Sequence, residues 1–286
     1  VQTVTELVML RKAVATLRAD GSTVALVPTM GALHEGHLTL MREAARQADR
    51  VVASIFVNPK QFGENEDLDA YPRQLARDSA LLEEEGVALL WAPLVDEVYP
   101  EGFATNVSVG KFSEHLCGAD RPGHFDGVAT VVCKLFNQVA PDMAFFGEKD
   151  WQQLAVIRRM ARDLDLMLPR AGAIYGVPIV REPDGLAMSS RNAYLSAEQR
   201  ADAAALPATL RKAAELVAEG HPWSAIASAA REDLLESGFE RVDYLDLRDS
   251  DSLKALDSDN GNARLFVAAR IGGTRLIDNL PIRAAN

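Results

Sequence analysis

The sequence predicts an α/β fold: a Rossmann-like, doubly wound parallel sheet followed by a second, smaller α+β C-terminal domain. Three observations predict it. Short, nearly continuous apolar runs at 24–27, 50–57 (RVVASIFV), 87–91 and 143–146 alternate with segments of helical periodicity. Runs of that kind read as parallel strands buried on both faces. The first two, with the helical pattern between them, make a βαβ unit within 24–57. Polar clusters follow three of the strand ends, at 34–37, 58–63 and 147–153, which is where open α/β sheets bind ligands.

Taken in order, residues 3–18 read as a helix, with Leu7, Leu10, Val14 and Leu17 at helical spacing and Thr3 or Thr5 as its cap. Asp20-Gly21 is a turn and 24–27 a strand. A helix from Gly36 to about Ala48 turns Leu38, Met41, Ala44 and Ala45 inward, and 50–57 is the next strand. After the break at 58–63 come an acidic loop, a helix over 73–85 and a strand over 87–91. A short extra strand is expected at 105–110. A strongly apolar helix follows over 126–139, then a strand over 143–146 and a helix over 151–164. The stretch 163–178 is broken by Pro169, which leaves the last strand of this domain open.

Composition changes near residue 172, and the domains are drawn as 1–175 and 176–286. In the second, Ser196 caps an alanine-rich helix that Pro207 should divide, since an interior proline costs about 3 kcal/mol. Residues 222–237 form another helix with Pro222 at its first turn. The end reads as strands at 241–247, 263–271 and 274–280, with Gly272-Gly273 as a hairpin turn.

Bulk properties narrow the function. The chain has 286 residues, 48% hydrophobic and 25% charged, with a net charge of −11. An acidic protein is a poor general binder of nucleic acid, whose affinity comes from Lys and Arg. An anionic ligand must therefore be held by a few local groups. No apolar stretch approaches the roughly 20 residues of a membrane span, and no basic-then-apolar leader is visible. Cys117 and Cys133 do not make a disulfide framework. The expectation is a cytoplasmic protein acting on small molecules, away from nucleic acid and membranes.

The most informative cluster is Val27-Pro28-Thr29-Met30-Gly31-Ala32-Leu33-His34-Glu35-Gly36-His37. A strand stops, a glycine turn follows, and a helix opens with two histidines three apart on one face. Free N–H groups and the macrodipole at a helix start favour an anion, and imidazoles donate to phosphate oxygens. Surface capping histidines and a zinc pair are the alternatives, but metal pairs favour a spacing of four, and no third ligand stands nearby. Ala187-Met188-Ser189-Ser190-Arg191-Asn192 offers two hydroxyls and a guanidinium suited to a triphosphate, with Gly185 as a hinge for closure over the nucleotide. Lys149, beside Asp150 at a strand end, is the lysine placed to meet phosphate. Gln61 and Gln153 are neutral amides suited to a polar, non-ionic group such as a hydroxyl.

Seven segments, PTMGALHEGH (28–37), SIFVNPKQFG (54–63), DLDAYPR (67–73), RPGHFDGVATVV (121–132), FFGEKDWQQL (145–154), REPDGLAMSSRN (181–192) and DYLDLRD (243–249), resemble the pantoate–β-alanine ligase (pantothenate synthetase) family in order and at compatible spacing. The H-x-G-H motif with the Ser-Ser-Arg loop also resembles the wider nucleotidyltransferase superfamily. The resemblance implies that ATP activates pantoate as a pantoyl adenylate with loss of pyrophosphate. The β-alanine amine then displaces AMP to give pantothenate, a step in coenzyme A biosynthesis. Mg2+ accompanies ATP, and a homodimer is expected.

The resemblance assigns ATP to Met30, Gly31, Ala32, Leu33, His34, Glu35, Gly36 and His37, to Gly147, Glu148, Lys149 and Asp150, and to Val180, Met188, Ser189, Ser190 and Arg191. His37, His34, Lys149 and Arg191 form the catalytic set, His37 as proton donor. Gln61 and Gln153 hold pantoate, with Asn58, His124, Val131 and Val132 as further pocket residues, and Asp78 is a candidate magnesium ligand. Two other readings are weighed: an adenylyltransferase that leaves AMP on its product, and a nucleotide sensor without turnover.

Overall fold

The computed structural model describes residues 1–64 and 66–282. The chain divides into two compact units, residues 1–148 with 153–178, and residues 149–152 with 179–286.

The first unit is a six-stranded parallel sheet with flanking helices. In chain order it contains β1 (Gln2–Val4), α1 (Leu7–Leu17), β2 (Val24–Thr29), α2 (Glu35–Gln47), β3 (Arg50–Ile55), α3 (Leu75–Glu84) and β4 (Leu89–Trp91). The short helices α4 (Val95–Val98) and α5 (Cys117–Asp120) follow, then α6 (His124–Val139), β5 (Met143–Gly147), α7 (Trp151–Asp163) and β6 (Ile174–Val177). The sheet order is β1-β4-β3-β2-β5-β6. Chain progression reverses between β2 and β5, so the topological switch point falls at their carboxyl ends. Val24, Ala25, Leu26 and Val27 are fully buried, as a strand covered on both faces requires. Ala25 and Val27 share a core with Leu40, Met41 and Ala44 of α2 and Leu82 of α3.

Some elements differ from expectation. The first helix starts at Leu7, because residues 2–4 pair with β4 as an edge strand. Pro28 lies inside β2, opposite Ser54 of β3. Its missing N–H is tolerated because pairing with β5 has ended at Leu26. Residues 105–110 form no strand; the Val107 N–H is bound by the Thr130 hydroxyl of α6 at 2.9 Å instead of by a neighbouring strand. The broken stretch before residue 178 does supply the sixth strand, β6, paired with β5.

The second unit holds α8 (Ala197–Asp202), α9 (Ala205–Ala218), α10 (Trp223–Glu236) and the antiparallel strands β7 (Arg241–Asp249), β8 (Ala263–Ile271) and β9 (Thr274–Pro281). Ser196 and Gln199 form a capping box at α8. Pro207 sits in the first turn of α9, after the break that separates it from α8, where a proline does little harm. Leu206, Leu210, Ala213 and Val217 of α9 and Ile226, Ala230 and Leu234 of α10 pack on Leu245, Leu265, Val267 and Leu276 of the sheet.

Candidate active site

At the end of β2 the two histidines cap α2 reciprocally. His34 is the N-cap and its Nδ1 accepts the Gly36 N–H at 3.2 Å, while Nδ1 of His37 accepts the His34 N–H at 3.4 Å. The rings lie 4.1 Å apart. A ring nitrogen that accepts carries no proton, so each imidazole in this arrangement holds its hydrogen on Nε2.

The backbone of this turn is less open to an anion than its sequence suggests. The Gly31 N–H donates to Thr29 Oγ1 at 3.3 Å, and those of His37 and Leu38 donate to the His34 carbonyl. The Ala32 and Leu33 N–H groups donate to the two carboxylate oxygens of Asp78, at 2.8 and 3.0 Å. The turn's own acceptors engage these amides, and the imidazole Nε2–H groups are donors of a kind suited to phosphate.

Asp78, expected as a magnesium ligand, is bonded here to the β2–α2 turn. It lies on α3, is fully buried, and has both oxygens engaged by the β2–α2 turn. Gly31, at φ +87°, lets the chain pass close to it: a Cβ there would stand 3.1 Å from Asp78 Oδ2. Among the described residues, no group of three or more His, Cys, Asp or Glu side chains could hold a metal ion.

Gln61 ends a 3-10 turn (Pro59–Gln61) that follows β3. Its carbonyl is gripped by Nδ1 of His124 at 2.8 Å and by Arg121 Nη2 at 3.3 Å. A carbonyl only accepts, so His124 carries its proton on Nδ1, and Nε2 faces Arg121 Nη1 at 3.1 Å. Arg121 is also paired with Glu66. Burial alone would raise the Glu66 pKa, but hydrogen bonding and charge from Arg121 hold it below the ordinary carboxylate value. Asn58 is 1% exposed, and Val131 and Val132 are buried in α6. Asn58 and His124, expected as pocket residues, are thus bonded to Gln61 itself. Gly127 allows the close approach of α6, since a Cβ on it would stand 2.2 Å from the Lys60 carbonyl.

Gly147 ends β5 and Glu148 opens the 3-10 turn after it. Gln153, in the first turn of α7, is half-buried in the first unit. Lys149 and Asp150 belong to the second unit, although the sequence places them in the first domain. The reason is local bonding. Asn279 of β9 donates to the Lys149 carbonyl at 2.9 Å, the Trp151 indole donates to the Ser250 carbonyl at 2.8 Å, and the Arg264 guanidinium lies 3.5 Å over the Trp151 ring. The Lys149 ammonium stands 3.9 Å from Asp150.

The Ser-Ser-Arg segment belongs to the same unit and is preceded by a small hairpin. Met188 N–H bonds the Val180 carbonyl at 3.0 Å, Glu182 N–H bonds the Leu186 carbonyl at 2.8 Å, and Gly185 makes the turn at φ +94°. Arg181 pairs with the buried Asp278 at 2.7 and 2.9 Å and donates to the Gly185 carbonyl. Gly185, expected as a hinge, is thus the tip of an anchored hairpin. Ser189 caps a 3-10 turn (Ser190–Tyr194) by accepting the Arg191 N–H at 3.3 Å. Tyr99, Arg121 and Gly127 were not singled out from sequence. The FDG of the 121–132 segment, with its glycine early in an apolar helix, is the signal that could have found the close approach.

Residues 2–281 match the family described as pantoate-beta-alanine ligase. The chain belongs to the pantoate-beta-alanine ligase family. A pantothenate synthetase of Novosphingobium aromaticivorans is 64% identical over 282 residues, 98% of this chain and 99% of the relative. One of Sphingopyxis alaskensis is 59% identical, covering 98% and 99%. The crystal structure of the pantothenate synthetase of Thermus thermophilus superposes with a TM-score of 0.92 at 49% identity, over 99% of each chain. The pantoate-beta-alanine ligase of Francisella tularensis, solved with beta-gamma ATP and beta-alanine, superposes with a TM-score of 0.83 at 31% identity, over 98% of this chain and 97% of that one. This pantoate-beta-alanine ligase condenses pantoate with β-alanine, with ATP as co-substrate. The adenylyltransferase and sensor readings are set aside by that membership.

Proposed function

We propose that the ligase works through a pantoyl adenylate and that its side chains divide the task by unit. In the first unit, His34 and His37 donate from Nε2 to the nucleotide phosphates, and Gln61 and Gln153 hold pantoate. In the second, Lys149, Ser189, Ser190 and Arg191 take phosphate, and Val180 and Met188, bonded main chain to main chain, take the base or ribose. The observation that carries this reading is the reciprocal histidine cap, which fixes two ring N–H donors at the start of α2.

In the first step a pantoate carboxylate oxygen bonds to the α-phosphorus, the bond to the bridging oxygen of the β-phosphate breaks, and pyrophosphate leaves. A carboxylate is already nucleophilic, so no base is needed. The work is positioning and stabilisation of charge on the phosphoryl oxygens, which fixed N–H donors and cations supply. In the second step the neutral amine of β-alanine bonds to the acyl carbon. The acyl–oxygen bond breaks, AMP leaves, and the amine's extra proton passes to solvent. A ring held on Nδ1 by a backbone N–H suits His37 to hydrogen-bond donation throughout. Magnesium enters as part of the nucleotide substrate, and a homodimer acting in the cytoplasm completes the proposal.

Rapid mixing with ATP, Mg2+ and pantoate tests it. Without β-alanine, pyrophosphate should appear in an amount matching the enzyme, with AMP retained until β-alanine is added. Pyrophosphate that waits for the amine would rule out a preformed adenylate.

A further inference from the structure

The Asn58 side chain makes four hydrogen bonds. Oδ1 accepts from the Lys60 N–H at 3.3 Å and from the Tyr99 hydroxyl at 2.8 Å. Nδ2 donates to the Gly127 carbonyl at 3.0 Å and to Oε1 of Gln61 at 3.0 Å. The two ends of an amide have the same shape, so their identity rests on their partners. Here two partners are main-chain groups with fixed roles: the Lys60 N–H can only donate, and the Gly127 carbonyl can only accept. Asn58 can therefore stand only one way round.

That orientation propagates. The Asn58 nitrogen meets Gln61, so the Gln61 atom facing it must be the oxygen. The Gln61 nitrogen is turned the other way, 3.2 Å from the Met30 sulfur, a weak acceptor. A flipped Gln61 would set two N–H groups against each other at a buried position, 9% exposed for Gln61, with each left unsatisfied. Tyr99 supports the arrangement as a donor; burial pushes its hydroxyl pKa up, so it stays protonated.

We propose that Asn58, braced by Tyr99, is a positioning residue that sets the polarity of the Gln61 amide, so that Gln61 offers the bound acid N–H donors and no acceptor. The position then selects an oxygen lone pair, from a hydroxyl, a carbonyl or a carboxylate, and rejects an ammonium. This rests on the reading that Gln61 binds pantoate, and it adds which end of the amide does so.

The test uses the full-length enzyme with two ligands and two variants. The 2-oxo analogue of pantoate can only accept at the position of the 2-hydroxyl, and the 2-amino analogue carries an ammonium there. Wild type should bind the oxo analogue within about 10-fold of pantoate and the amino analogue at least about 100-fold more weakly, the spread that an unpaired buried donor produces. Asn58→Asp removes the donor to Gln61 and lets its amide turn over. The KM for pantoate should rise about 10-fold or more, with the KM for ATP within about 2-fold, a split that mere loosening of the fold would not give. Gln61→Ala separates the two layers. If it leaves the pantoate KM unchanged, the reading of Gln61 as a pantoate ligand fails. If it raises that KM while Asn58→Asp does not, or while wild type rejects the oxo analogue, the polarity proposal alone is overturned. Should Asn58→Asp not fold, the two analogues decide on wild type.

Discussion

Replacing Asp78 with Asn changes one oxygen to a nitrogen in a side chain with no exposed surface. The carboxylate accepts the Ala32 and Leu33 N–H groups at 2.8 and 3.0 Å. A hydrogen bond to a charged acceptor is worth about 1.5–3 kcal/mol. Asn keeps one such acceptor and turns an N–H toward the other amide. Neutralising a buried charge returns part of the loss, which leaves a net fall of about 1–2 kcal/mol in unfolding free energy. That is small against a typical stability of roughly 5–15 kcal/mol, so the variant should fold. The same change loosens the turn that carries His34 and His37. The KM for ATP should rise by about 10-fold, the equivalent of 1.4 kcal/mol. Urea unfolding in EDTA and steady-state kinetics across a range of free Mg2+ measure the two effects. The loss of stability should appear in the metal-free protein, and the KM defect should persist at saturating Mg2+. Unchanged stability in EDTA, with a KM defect rescued by added Mg2+, would show that Asp78 is a metal ligand and refute the reasoning.

Other outcomes follow from the same contacts. His37→Ala and Lys149→Ala should each lose about 2–4 kcal/mol of transition-state stabilisation in kcat/KM, Lys149→Ala with an unfolding midpoint near wild type and His37→Ala with about 1 kcal/mol less stability from the lost cap on the His34 N–H; near-normal turnover in either would remove that residue from the catalytic set. Asn279→Asp deletes the donor to the Lys149 carbonyl but keeps the oxygen that accepts from Arg264. Titrating ATP and pantoate separately should show a higher KM for ATP alone, and equal changes would place Asn279 outside nucleotide binding. Glu66 has a folded-state pKa below its unfolded one, so its contribution to stability is full above the unfolded value and is lost as pH falls through the folded value. Urea midpoints of wild type and Glu66→Gln should differ at neutral pH and converge as the pH falls well below the ordinary carboxylate value; a gap that persists in acid would show that the ion pair with Arg121 is not its source.

The parts of the fold legible in the sequence were those written in neighbouring residues. The apolar runs of β2 and β3 announce strands buried on both faces, and Pro207 divides α8 from α9 as its chemistry requires. β1 was hidden because its three residues run straight into the periodic pattern of α1, and pairing with β4 depends on residues far along the chain. The strand expected at 105–110 failed for the converse reason: its composition suits a strand, but its Val107 N–H bonds a side chain on α6. At the site, H-x-G-H, Gln61 and Lys149 could be picked out from residue type and position at strand ends, and Ser-Ser-Arg from residue type. Asp78 did not, because an acidic residue on an amphipathic helix looks solvated until the turn 46 residues before it is folded against it. The bonds of Asn58 and His124 to Gln61 join residues three and 63 positions apart, and the sequence does not show the longer of these links. Lys149 reads as part of the first sheet because the sequence cannot show that Asn279, 130 residues later, holds its carbonyl.

The pantoyl adenylate is the centre of the account, and oxygen transfer tests it most directly. Pantoate labelled with 18O in its carboxylate is turned over with ATP and β-alanine, and the products are weighed by mass spectrometry. Attack of the carboxylate on the α-phosphorus and later cleavage of the acyl–oxygen bond predict that each AMP carries one labelled oxygen and that pyrophosphate carries none. Unlabelled AMP would contradict the account.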